Sequence, residues 1–144
     1  MRSCERRARD YFADRFGVDE DAWDGYGFHE RGGDIWLVSD DVELREEFVA
    51  VGIRLLRDTG IGLKPTTYGL QVLADELQDR VVDLDEAELE RLVFDRETLA
   101  TELDGGYVAL RFRGRIIGCG LVSSRGLETQ IPKGRAQDLE SMLE

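Results

Sequence analysis

The stretch GGYVALRFRGRIIGCGLVSSRGLETQIPKGR, residues 105–135, restricts the fold more than any other part of the chain. Its residues alternate with period two. Val108, Leu110 and Phe112 fall on one face, and Tyr107, Ala109 and Arg111 fall on the other. The next run sets Ile117, Cys119 and Leu121 against Ile116, Gly118, Gly120 and Val122. Such alternation belongs to strands, because successive side chains on a pleated backbone point to opposite sides. Arg113-Gly114 reverses the chain between the two runs, so the segment reads as a meander of short strands. Gly118 and Gly120 leave their face without side chains. That is either a bulge or barrel corner, or a place where a flat ligand approaches the backbone.

The same stretch is a charge anomaly. It holds Arg111, Arg113, Arg115, Arg125, Lys133 and Arg135 against Glu128 alone, a net of +5, whereas residues 1–104 carry −14 and the whole chain −12. Guanidinium groups bind phosphates in a bidentate fashion and stack on bases, so a cationic strand cluster in an anionic protein points first to nucleic acid. The alternative is that Arg111, Arg113 and Arg115 pair with acids of this chain. If the strands curl into a small barrel, the hairpin arginines and Lys133-Gly134-Arg135 converge on the Gly105-Gly106 loop. The 31 acids stand beside 17 arginines and two lysines, Lys64 and Lys133. An acidic, lysine-poor surface holds water and cations, as in haloarchaeal proteins, although a GC-rich genome also favours arginine.

Upstream, SCERRARDYFADRF spaces Ala8, Tyr11, Phe12 and Phe16 along one helical face, with Gly17 as the stop. Arginines 2, 6, 7, 9 and 15 occupy the rest, as a solvated face or an extension of a binding surface. GFHER-GG-DIWLVS predicts a hairpin turning at Gly32-Gly33. A short helix with Leu44 and Phe48 inward follows, then a strand or buried segment at VGIRLLR. GIGLKPTT breaks structure, and Thr66 or Thr67 caps a helix carrying Leu70, Leu73 and Leu77. RVVDL is a strand, and Asp85 to Glu88 forms a capping box with Leu84 and Leu89 as its hydrophobic staple. A helical turn over DRETLATEL leads into the meander. The order predicts an α/β (α+β) chain: a small α/β domain over residues 1–76, then a mixed β pseudobarrel with short helices over 77–144.

No catalytic constellation is present in the sequence. There is no GxGxxG, GxxxxGK[ST] or GxSxG pattern, and no metal-ligand spacing. Cys4 and Cys119 are expected to be independent reduced thiols, and His29 stands alone. No run nears the roughly 18 apolar residues of a membrane span, and MRSCERRARDYF lacks the apolar core of a signal peptide. The expectation is a soluble cytoplasmic protein, not an enzyme, without metal or cofactor.

GYVALRFRGRIIGCGLVSSRGLETQIPKGRAQDL resembles the PUA-like RNA-binding region at the C-terminus of archaeal Sun-type RNA (cytosine-5) methyltransferases. FGVDEDAWDGYGFHERGGDIWLVS and VGIRLLRDTGIGLKPTTYGLQVLAD are similar to the region that precedes it in those proteins. The resemblance implies a pre-PUA domain followed by a PUA pseudobarrel. By motif position it implies RNA contacts at Gly105, Gly106, Tyr107, Arg111, Gln130, Lys133 and Arg135, with Arg113, Arg115 and Arg125 nearby. The cofactor-binding glycine strand and proline-cysteine motif of the catalytic half are not in this sequence. The implied role is a stand-alone binder of tRNA or rRNA, serving a separate methyltransferase or other modification enzyme. The competing role is a protein-docking subunit of such an assembly.

Overall fold

A computed structural model describes residues 3–39 and 52–143. The fold is α+β, with two four-stranded sheets in two compact units, Met1–Asp79 and Arg80–Glu144.

The first unit opens with helix α1 (Ser3–Phe16), which buries Cys4, Ala8, Phe12 and Phe16, one residue per turn. Its end is a left-handed glycine cap. Gly17 takes φ +66° and donates to Ala13 O at 3.2 Å, while Val18 N donates to Phe12 O at 3.1 Å. The last carbonyl of the helix, Phe16 O, accepts from the backbone N–H groups of Gln78 and Asp79 at 2.9 and 3.0 Å. Those two bonds tie Gln78 and Asp79, the last residues of the unit, to the first helix.

After a 3-10 turn at Glu20–Trp23, strands β1 (Tyr26–Arg31) and β2 (Asp34–Ser39) form the hairpin, with Gly32 and Gly33 both at positive φ. Strands β3 (Ile53–Asp58) and β4 (Leu63–Pro65) complete an antiparallel sheet in the order β1-β2-β3-β4. The sequence predicts only a break at GIGLKPTT. Pro65 is accommodated because β4 is an edge strand. Thr66 caps helix α2 (Thr67–Val72), its hydroxyl accepting from Gly69 N. The helix expected around Leu44 and Phe48 lies outside the described residues.

In the second unit, β5 (Val81–Leu84) pairs in parallel with β6 (Gly106–Phe112), and β7 (Arg115–Ser123) and β8 (Gly126–Thr129) follow antiparallel, in the order β5-β6-β7-β8. The crossover contains α3 (Glu86–Leu89), started by the Asp85–Glu88 capping box and continued by a π-turn, Glu90–Phe94. The helical turn expected over DRETLATEL is not formed. Leu99 instead exchanges backbone hydrogen bonds with Leu127 at 2.9 and 2.7 Å, an extended bridge that a helical turn would forbid. The strand meander also ends earlier than residue 135, because helix α4 (Lys133–Leu143) begins right after Pro132.

The inward face of β6 carries Val108, Leu110 and Phe112, packed with Leu89, Leu92 and Ile131. Gly118 and Gly120 of β7 turn toward the same interior. A Cβ built on Gly118 would stand 2.4 Å from Ile131 Cγ1, and one on Gly120 would stand 2.9 Å from Leu127 Cδ1. The side-chain-free face is therefore filled by the chain's own core, and no ligand reaches these two glycines.

Candidate nucleic-acid interface

The residues expected to meet RNA are distributed along one strand, two turns and one helix start. Gly105 and Gly106 enter β6, where Gly106 takes φ +128°, and Tyr107 and Arg111 lie on the outward face of that strand. Arg113 is in the β6–β7 turn, Arg115 begins β7, and Arg125 is in the β7–β8 turn. Gln130 extends the β7–β8 ladder by donating from its backbone to Cys119 O at 2.9 Å. Lys133 and Arg135 belong to the first turn of α4, not to a strand.

The register divides this set. Gly106 pairs with Val122, and Phe112 pairs with Arg115. Six extended steps separate Gly106 from Phe112, about 20 Å at strand rise. Arg111, Arg113 and Arg115 thus gather at one end of the hairpin, and Gly105, Gly106 and Arg125 at the other. Convergence of the hairpin arginines on the glycine loop does not occur, because a continuous strand holds them apart.

The arginines also differ in what they touch. Arg111 forms a bidentate pair with Asp83, Nε to Oδ1 at 2.6 Å and Nη2 to Oδ2 at 2.7 Å. The two residues are register partners on β5 and β6. The hydrogen bonds from Arg111 hold the Asp83 carboxyl below the ordinary carboxylate range and raise the Arg111 guanidinium in turn. Arg113 adopts φ +50° in its turn, lies 4.8 Å from the centroid of the Phe112 ring, and donates to Glu86 Oε1 at 3.4 Å. Arg115, Arg125 and Lys133 are exposed, and their side chains form no ion pair among the described residues. Two of the three hairpin arginines are therefore partly neutralised from within.

A residue that local sequence reasoning passes over fastens the glycine loop. Arg80, at φ +59°, donates from Nε to Tyr107 O at 2.9 Å and from Nη2 to Asp104 O at 2.7 Å. The loop is thereby fixed from the start of β5, and only the parallel pairing of β5 with β6 brings Arg80 there. Beside it, burial, and then the neighbouring Cys119, push the Tyr107 hydroxyl above its ordinary pKa. On α1, Arg9 is held by Glu5 at 3.2 Å and Glu20 at 3.0 Å, and Arg7 approaches Asp58 at 3.9 Å, so this helix's cations are largely engaged.

Cys4 and Cys119 are buried free thiols. Among the described residues, no cluster of three or more histidines, cysteines or carboxylates is placed to hold a metal ion. Nor is any helix among them long and apolar enough to cross a membrane. No curated protein matches the chain. Residues 2–52, from the start of α1 to the residue before β3, are similar to a family of unknown function, DUF7122.

Proposed function

We propose that the protein binds structured RNA, tRNA or rRNA, through its second unit, in the service of an RNA-modifying enzyme. The observation that carries this reading is the set Arg115, Arg125 and Lys133. These are exposed cations without an internal ion-pair partner among the described residues, in a segment of net +5 within a chain of net −12. An acidic protein repels RNA over most of its surface, so exposed cations left without an internal counter-charge are the points at which a phosphate backbone can be held. The likeness of GRIIGCGL and QIPKGRA to PUA-type sequences adds a mixed sheet as the expected platform. Arg111 contributes less directly than its charge suggests, since its Nε and Nη2 already donate to the Asp83 carboxylate.

The test is charge reversal of Arg115, Arg125 and Lys133 to glutamate, with binding to a folded tRNA followed by anisotropy across a salt series. Affinity should fall at least tenfold, and the slope of log K against log salt should shrink by about one per phosphate contact removed. Unchanged affinity with an unchanged melting temperature overturns the reading. A protein-docking role is the second reading, favoured by Tyr68 and Val72, which α2 leaves 59% and 44% exposed. A partner recovered from cells regardless of nuclease treatment supports it over RNA binding.

A further inference from the structure

The outward face of the first sheet carries a cation and aromatic cluster that the second unit's RNA reading leaves unused. Three residues stand in one row across three strands, with His29 opposite Trp36 and Trp36 opposite Arg54. The Arg54 guanidinium carbon lies 5.3 Å from the centroid of the Trp36 ring, and Asp34 steadies Arg54 Nε at 3.5 Å. Trp36 is only half-buried, although its strand neighbours Ile35 and Leu37, on the opposite face, are fully buried.

Cations frame this row. Arg31 pairs across the hairpin with Asp34, and Arg57 pairs with Lys64 of β4. Alternation from buried Leu56 sets Arg57 on the same face as Trp36. Arg31 and Arg57 are exposed and have no ion-pair partner among the described residues. Among the described residues of this face, the Asp34 carboxylate is already engaged by Arg54 and by the Asp58 N–H at 2.9 Å. Residues 1–104 carry −14 overall, so Arg31, Arg54 and Arg57 beside that committed carboxylate form a local reversal of sign among the described residues.

We infer that this face is a stacking platform for single-stranded RNA, with a base lying on the Arg54–Trp36 layer and Arg31 and Arg57 meeting the flanking phosphates. The chemistry fits one partner. A base needs a flat, weakly hydrated surface, which a guanidinium held on an indole supplies, and the backbone needs cations to either side. The inference rests on the RNA reading above for its ligand class but uses none of its residues.

Trp23 is buried against Phe12 and Phe28, so the emission of Trp36 can be followed as that of the more accessible of the two tryptophans. Titrating the protein with a short oligouridylate should give saturable quenching. Trp36→Ala and Arg54→Ala should each weaken binding of the labelled oligomer about tenfold, with Trp36→Phe retaining part of it. The double reversal Arg31→Glu with Arg57→Glu, both at exposed positions, gives the same answer without disturbing the aromatic layer. If folded tRNA binds through Arg115, Arg125 and Lys133 while the oligomer leaves Trp36 emission unchanged, the inference falls and the RNA reading stands. If neither RNA binds, both fall. If polyglutamate quenches Trp36 as strongly as the oligomer, the face is a general anion surface and the inference is overturned.

Discussion

Arg111 shows how far charge alone carries a functional reading. In the sequence it is one of six cations in a basic stretch. In the fold it is half of a bidentate pair, because parallel pairing of β5 with β6 sets Asp83 beside it. Twenty-eight residues separate the two, and no local pattern announces the contact. The pair makes a testable contribution to stability. The folded pKa of Asp83 is depressed below its ordinary value of 3.8, first by the hydrogen bonds from Arg111. Stability from such a group is present above the unfolded pKa and is lost as pH falls through the folded one. Asp83 is well exposed, so solvent limits the gain to about 0.5–1 kcal/mol even with bidentate geometry. Asp83→Asn should therefore lower the urea midpoint at neutral pH, and the gap to the native chain should close below about pH 4. A gap that persists in acid assigns the loss to packing instead. Arg111→Glu sets two carboxylates opposite each other, so any change in RNA affinity measured with it would mix binding with stability. Arg115, Arg125 and Lys133 avoid that confusion.

At the scale of elements, local chemistry was legible and tertiary pairing was not. Period-two alternation located β6 and β7, the Arg113-Gly114 and Gly32-Gly33 turns fall where positive φ is needed, and Asp85 with Glu88 caps α3. β4 is only three residues long and contains Pro65, so no local signal marks it as a strand. It exists because β3 offers an edge. Leu99 is extended because Leu127 bonds it, and α4 buries little besides Ala136, which is too weak a stripe to stand out in sequence. Gly118 and Gly120 are the instructive pair. Their shared face is plain from alternation, but what fills it depends on Ile131, Leu127 and Leu110. Gly118→Ala should cost about 1–3 kcal/mol by overpacking against Ile131, read from chemical denaturation. In an Ile131→Ala background the nearest obstructing atoms are gone, leaving Ile131 Cβ at 3.8 Å, so the same substitution should cost far less. Equal costs in both backgrounds would show that Ile131 does not set the requirement for glycine.

For the whole molecule, the decisive quantity is the uneven sign of charge. A net of −12 on 144 residues pushes the folded chain apart at low ionic strength, since unfolding lets the charges separate. Salt shortens the range of that repulsion, to about 3 Å at 1 M, whereas direct pairs such as Arg111–Asp83 persist at contact distance. The melting temperature should therefore climb as KCl rises from low to molar concentration, by about 5 °C for each kcal/mol of repulsion removed. Thermal melts in KCl, with matched sucrose as an uncharged control, measure it. A rise in KCl alone at low concentration identifies charge screening, while a flat response shows that internal pairs already neutralise the acidic surface. The same screening bears on RNA. If the protein works in concentrated salt, attraction at a distance contributes little, and the partner must be held by contacts made at van der Waals range. An Arg–Trp layer and a few unpaired cations meet that requirement better than a diffuse positive field. Binding that survives molar KCl and depends on Trp36 and Arg115 would place the affinity in those contacts; binding that collapses at modest salt would place it in long-range charge.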